Sequence, residues 1–399
     1  MRVHGPALAV GLGAFLVYLL ANARFDAGRG DFFYLADAFL QGHTWIDVRL
    51  GPWDVIVDGA RIYVPFAPFP AIALMPLVAI VGPVTADQWE PVVNAALAAA
   101  TVVLAWYLAA RIGVERAVDR LWLSILLGFS TQILWVTTRG GVWHTGHLFA
   151  TVITLLVLRE LFGRRRAFLI GLLAGAAFLT RPPVMFAGPV YALWVPGAEA
   201  VWERGRAMTD RVRRLPLRAW AMMLAGVLPA LAFFFAYNAV RFGSPAESGY
   251  ALALLPDFLA RQRDAGMFSL AHVPMNLDYL FVHPPELIGE PPFLRPDGFG
   301  MSIFITSPAL MLAVRADWRD RRAWLLLLAA VLVLVPTLLY YGGGWRQFGY
   351  RYFLDSIPFV WALCALAVAR AGRMGGGWKA LILVGVFVNV IGVYWAYRF

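Results

Sequence analysis

Residues 66–84 read Phe-Ala-Pro-Phe-Pro-Ala-Ile-Ala-Leu-Met-Pro-Leu-Val-Ala-Ile-Val-Gly-Pro-Val. The stretch is apolar and nearly long enough to cross a bilayer, whose core of roughly 30 Å needs about 20 helical residues. Yet it carries Pro68, Pro70, Pro76 and Pro83 and follows Pro65, and each proline removes a backbone donor and crowds the turn before it. Whether it crosses sets the sidedness of everything that follows.

Eleven other apolar runs lie near 6–23, 90–110, 121–138, 142–158, 167–180, 183–198, 219–240, 299–314, 323–341, 353–370 and 380–397. If all twelve crossed from a cytoplasmic N-terminus, the basic segments 159–166, 199–218 and 315–322 would face outward, against the positive-inside rule. With 66–84 removed as a juxtamembrane or re-entrant segment, the loops 111–120, 159–166, 199–218, 315–322 and 370–379 fall inside. Together they hold 20 of the 34 Lys/Arg, and Arg2 makes 21. Segment 24–65 then faces outward with Arg24, Arg29, Arg49 and Arg61 against Asp26, Asp31, Asp37, Asp47, Asp54 and Asp58. Parity and charge bias agree on about eleven transmembrane helices, with juxtamembrane helices in the first outer loop. The first run lacks a clear cleavage site and reads as a retained span.

Composition fits an all-α, polytopic membrane protein. The 399 residues are 61% hydrophobic and 15% charged, against about 25% charged in soluble domains. Continuous apolar runs favour helices over a β-barrel, the other structure that satisfies its backbone in lipid. The formal charge of +10 reflects loop bias and implies no nucleic-acid partner. Cys364, the single cysteine, excludes a disulfide within the chain. The Arg-rich usage, with Lys379 the only lysine, is that of a GC-rich prokaryote. The long loops 24–89 and 242–298 are expected to cap a cavity over one membrane domain spanning 1–399.

Asp31 heads a short amphipathic helix in which Phe32, Leu35, Ala36 and Phe39 recur at helical spacing. Aspartate there is a favoured N-cap, and a carboxylate at the bilayer surface can also act as a general base. Outward-placed arginines near span ends are Arg139, Arg181, Arg241, Arg346 and Arg351, suited to bidentate contact with phosphate. Arg351 stands out between Tyr350 and Tyr352. The alternative pairs it with Asp355 four residues on, at helical spacing. For Arg181, before Pro182 and Pro183, the alternative is a snorkelling side chain at a turn. His144 and His147 share a helix face, but a hard cation prefers oxygen ligands, so no metal is assigned to them. Asp47, Asp54 and Asp58 either bind an acceptor or keep the loop soluble, and the second reading is preferred.

The order of Asp31, Tyr63 to Pro70 (Tyr-Val-Pro-Phe-Ala-Pro-Phe-Pro), Leu179-Thr180-Arg181-Pro182, Asn238 to Tyr250 and Phe348 to Pro358 resembles the C-type glycosyltransferase superfamily, which includes protein mannosyltransferases and the aminoarabinose transferase of lipid A. The resemblance implies a membrane enzyme that moves a sugar from a polyprenyl-phosphate donor to a lipid, glycan or protein acceptor on the extracytoplasmic face, with inversion. It implies Asp31 as catalytic base. Phosphate chemistry adds Arg351, Arg181 and Arg241 as donor-phosphate contacts, and His144, His147, Tyr63 and Tyr350 are expected to line the site. Many metal-using relatives carry a second acid in the second outer loop, whereas Trp135 to His147 has none, so no metal or other cofactor is assigned. Rival readings are a flippase for a lipid-linked sugar, which would line span centres with ionisable groups, and a catalytically silent relative.

Overall fold

The computed structural model describes residues 4–22, 29–199 and 215–396. Arg2, Arg24, Asp26 and the middle of the basic segment 199–218 lie outside them. The chain is a multi-pass helical protein, with sheet confined to two short hairpins, Ile56–Asp58 with Arg61–Tyr63 and Glu286–Leu287 with Leu294–Arg295. The principal helices are α1 (His4–Ala21), α2 (Asp31–Leu40), α3 (Phe69–Val81), α4 (Pro83–Gln88), α5 (Glu90–Ile112), α6 (Ala117–Phe129), α7 (Ile133–Arg139), α8 (Val142–Leu161), α9 (Ala167–Phe178), α10 (Leu217–Phe242), α11 (Arg321–Leu339), α12 (Ile357–Ala371) and α13 (Gly376–Ala396).

Five of these, α5, α8, α10, α11 and α13, are long and apolar enough to cross a membrane alone. Helices α6 and α7 make a sixth candidate if read as one span bent by 47°. The bend falls at Ser130-Thr131-Gln132, where the Ser130 amide reaches back five residues to the Ile125 carbonyl and the Thr131 hydroxyl takes Leu127. Four shorter apolar helices, α1, α3, α9 and α12, complete the set.

Two further expected spans are not continuous helices. Run 183–198 is a 3-10 turn over Pro182–Ala187 followed by a short helix, Gly188–Ala192, because Pro182, Pro183 and Pro189 each lack a donor. Run 299–314 breaks likewise into Ile303–Thr306 and a 3-10 segment, Pro308–Arg315. Helix α3 stays apart from the bundle's main core. It packs with α2 and α4 in a separate apolar cluster around Phe32, Leu35, Val64, Leu74 and Val78.

The basic loops meet one another. Arg111 donates to the Arg159 carbonyl at 3.2 Å, Arg165 pairs with Glu199 at 2.8 Å, Arg370 approaches Asp317 at 3.6 Å and Lys379 approaches Asp119 at 4.0 Å. Loops separated by up to 260 residues of chain thus gather at one end of the bundle. Close helix crossings hold the frame: at Gly171 an added Cβ would stand 1.9 Å from the Met223 carbonyl, and at Gly226 2.2 Å from that of Phe168. Only glycine lets α9 and α10 approach so nearly.

Candidate active site

Away from the basic loops, the connections of the bundle enclose a cavity of about 770 Å³. Its described lining includes six arginines, Arg29, Arg139, Arg181, Arg241, Arg346 and Arg351, and a single carboxylate, Asp54. All five arginines singled out from sequence are therefore brought to one space. Aromatic rings from Trp53, Trp143, Tyr250, Tyr341, Trp345 and Tyr352 fill the wall between them.

The arginines are not equivalent. Arg351 begins a 3-10 turn, Arg351–Asp355, and is 7% exposed. Among the described residues it makes no ion pair, its Nε is buried without a partner, and its guanidinium lies over the Tyr352 ring at 5.3 Å. Arg181 reaches the same ring from elsewhere, at 5.6 Å. Its charge is matched by Asp355, with Nη2 to Oδ2 at 2.9 Å and Nε to Oδ2 at 3.1 Å. The other Asp355 oxygen meets His147 Nδ1 at 3.0 Å. The expected alternative, a pair between Arg351 and Asp355, is thus corrected: the turn between them is 3-10, with about three residues per turn, so positions four apart do not face each other.

Arg241, at the end of α10, works as a clasp. It donates to the Val64 carbonyl at 3.0 Å, to Asn238 Oδ1 at 2.8 Å and to the Ser248 carbonyl at 3.4 Å, and packs on Tyr237 at 3.8 Å. It ties one helix to both long loops. Arg139 and Arg346 lie on the rim, Arg346 over Trp345 at 4.9 Å with its backbone in the left-handed region.

Asp31 is fully buried and absent from the cavity lining. It does not act as an N-cap, since Gly30 holds that position. Its Oδ1 accepts from Arg29 Nη2 at 2.6 Å, while Oδ2 has no partner. Burial pushes the Asp31 carboxyl up to about 6 against the opposing pull of Arg29. The same Arg29 donates to the Trp53 carbonyl and, at 3.0 Å, to the Asp54 carbonyl, so it stands between Asp31 and the cavity.

His144 lines the cavity, with Nδ1 on the Gly140 carbonyl and Nε2 buried without a partner. A carbonyl only accepts, so Nδ1 carries a proton. The turn that sets this ring is held by Glu90, which accepts from the Gly141 amide at 2.8 Å and the Thr145 hydroxyl at 2.9 Å. Three expected lining residues sit behind the wall. His147 is turned to Asp355, Tyr63 packs edge-on against Phe242 at 5.4 Å, and Tyr350 donates to the Thr337 carbonyl at 3.3 Å.

Two residues at the site were not put forward as site residues from the sequence, although Asp54 was weighed there within an acidic group. Arg29 lies only two residues before Asp31, but its role depends on the return of 53–54 to the same point. Asp54 sits in Gly-Pro-Trp-Asp, and its signal was the tryptophan beside the acid. As for a divalent metal, one carboxylate among six arginines is a poor donor set, and among the described residues no cluster of three or more His, Cys, Asp or Glu side chains could hold one.

Two solved structures share this fold. ArnT from Cupriavidus metallidurans bound to undecaprenyl phosphate matches at TM-score 0.54 and 16% identity, over 95% of this chain and 62% of its own. The Archaeoglobus fulgidus oligosaccharyltransferase in the apo form matches at TM-score 0.51 and 12% identity, over 99% and 56%. The chain shares the fold of these two structures, which agrees with the resemblance noted in the sequence. The chain spans about three fifths of the length of these two structures. No family model and no curated protein matches it by sequence.

Proposed function

We propose that the protein is a membrane glycosyltransferase that takes a sugar from a polyprenyl-phosphate donor and transfers it, with inversion, to an acceptor hydroxyl on the extracytoplasmic side. The observation that carries this reading is Arg351, a buried cation that makes no ion pair among the described residues, in a cavity lined by six arginines and one carboxylate. A buried cation left unmatched is costly, and a phosphate supplies the missing charge with bidentate geometry. Arg181 and Arg241 are proposed as flanking contacts, the first already neutralised by Asp355 and therefore weaker. ArnT, which shares the fold, was solved with undecaprenyl phosphate bound, and this supports the lipid class.

In the proposed reaction an acid of the 24–89 loop accepts the acceptor proton while the acceptor oxygen attacks the anomeric carbon. The electron pair of the breaking bond leaves on the phosphate oxygen beside Arg351, where fixed positive charge is worth most. The prenyl chain is proposed to leave between α10 and α11, where Phe234 and Pro336 line the cavity. The 24–89 and 242–298 loops form the cap. They are stitched where the Asp54 amide donates to the Leu254 carbonyl at 2.7 Å and the Leu254 amide to that of Val55 at 2.9 Å. A cytoplasmic N-terminus with eleven crossings, two of them through the interrupted segments 183–198 and 299–314, completes the topology.

The test uses purified protein in liposomes charged with a polyprenyl-phosphate sugar and a mixture of glycan and lipid acceptors. A transferase releases free polyprenyl phosphate and a glycosylated acceptor. A flippase moves the intact lipid between leaflets and releases neither, which would overturn the proposal.

A further inference from the structure

We infer, independently of the transferase reading, that the edge of the 242–298 loop around Phe268 and Leu270 is inserted in the outer leaflet of the bilayer, where acyl chains cover it. The two side chains are 59% and 79% exposed. Ser269 between them is extended, with φ −146° and ψ 147°, and in an extended chain residues two apart share one face. The loop therefore presents a large apolar pair on a single side.

Helix α11 sets the depth of this edge. Its exposed large residues are Trp324, Leu328, Val331 and Val335, which recur at helical spacing and make one apolar stripe along the span, the face that meets lipid. Where α11 ends, the loop is fastened to it. The Ser269 amide donates to the Leu339 carbonyl at 2.8 Å, the Tyr341 amide donates to the Met267 carbonyl at 3.1 Å, and the rings of Phe268 and Tyr340 lie 5.6 Å apart. The apolar pair thus stands at the outer end of a lipid-facing stripe, and lipid is the occupant continuous with that surface.

The same fastening seals the helix end against the need for water. A helix leaves its last carbonyls without donors of its own, and in lipid an open carbonyl costs several kcal/mol. Asn276, fully buried, donates through Nδ2 to the carbonyls of Leu338 at 2.9 Å and Tyr340 at 3.0 Å and reaches that of Thr337 at 3.5 Å. Tyr350 also donates to Thr337, at 3.3 Å, and Ser269 holds Leu339. Four successive carbonyls are satisfied by protein donors, as a helix end held within the bilayer requires. Met267 and Phe268 also line the arginine-rich cavity, beside Pro336, Thr337 and Tyr340. Phe268 is therefore shared, with the cavity on one side and acyl chains on the other.

The experiment places single cysteines by Leu270→Cys and, for comparison, Asp58→Cys, which is exposed in the 24–89 loop, in a Cys364→Ala background. Each full-length protein is labelled with an environment-sensitive fluorophore and held in phosphatidylcholine nanodiscs. Quenching is read with lipids that carry a doxyl group near the top of the acyl chain, and separately with aqueous iodide. The label at 270 is expected to be quenched several-fold more by the doxyl lipid than the label at 58, and several-fold less by iodide. Phe268→Cys, on the same face, is expected to report the same depth. Iodide reaching positions 270 and 58 equally would overturn the inference. A label at 270 that neither quencher reaches would overturn it too, since a protein partner would then cover the edge in place of lipid.

Discussion

Asp355 and Arg181 lie 174 residues apart in the chain and meet as an ion pair in the cavity wall, at 2.9 Å between Oδ2 and Nη2. His147 holds the other carboxylate oxygen. The pair leaves Arg351, only four residues before Asp355, without an acid partner among the described residues. One ion pair thus divides the arginines into a neutralised one that builds the wall and an unmatched one available to a ligand.

Removing Asp355 strands Arg181. Asp355→Asn is expected to destabilise the protein by about 3–5 kcal/mol, the range for breaking a buried pair from one side. The combined Asp355→Asn and Arg181→Met change should recover part of that loss. Thermal unfolding in detergent measures both, and a single variant as stable as wild type would contradict the pairing.

Arg351 behaves oppositely in this account. Arg351→Ala should leave the melting temperature close to wild type, since no carboxylate is orphaned, yet weaken polyprenyl-phosphate binding. Loss of a hydrogen bond to a charged group costs about 1.5–3 kcal/mol, or roughly 10- to 150-fold in affinity. Arg351→Lys should fall between, because lysine keeps the charge and loses the fork. Titration with the lipid phosphate reads the difference.

The acids of the 24–89 loop give a pH signature. Burial raises both Asp31, to about 6, and Asp54, so the acid limb of the transfer rate should lie above the ordinary carboxylate range near 4, with activity lost as pH falls. For stability the sign is reversed. The folded protein binds the Asp31 proton more tightly than the unfolded chain does. Its favourable contribution is therefore fully present below about 4 and is lost as pH rises through about 6. Asp31→Asn should flatten that part of the stability profile, measured by melting temperature against pH.

What the sequence made legible follows from which interactions are local. Helical spans were legible because hydrophobic length is set residue by residue. For 66–84, prolines and loop arginines point independently to a segment that does not cross. The five arginines stood out because each sits near the end of an apolar run, where a guanidinium can meet phosphate, and all five line one cavity. Partners were not legible: the spacing of Arg351 and Asp355 presumes an α-helix, and the 3-10 turn there breaks the presumption. Asp54 read as a soluble loop residue because its burial depends on Trp143 and Leu254, which come from distant segments. The breaks at 182–192 and 303–315 were visible as prolines without showing how far each would interrupt its helix.

Sidedness can be read with single cysteines in a Cys364→Ala background. A cysteine replacing exposed Arg164, among the clustered basic loops, and one replacing exposed Asp58, in the 24–89 loop, should react with a membrane-impermeant maleimide from opposite faces, Arg164→Cys only after permeabilisation. Labelling of both in intact cells would refute the proposed eleven-crossing topology.

The cavity's donor set suits phosphate and not a hard divalent cation. Transfer should therefore persist in excess chelator, and a loss reversed by added magnesium or manganese would show that the arginines alone do not neutralise the leaving group.

The most direct measurement follows radiolabelled sugar on polyprenyl phosphate in membranes carrying either the intact protein or Arg351→Ala. The account predicts that label passes from the lipid fraction to an acceptor with the intact protein and that Arg351→Ala slows this by about 10-fold or more. Label that stays on the lipid with the intact protein, or moves equally fast in both membranes, would contradict the claim that Arg351 serves a polyprenyl-phosphate glycosyltransferase.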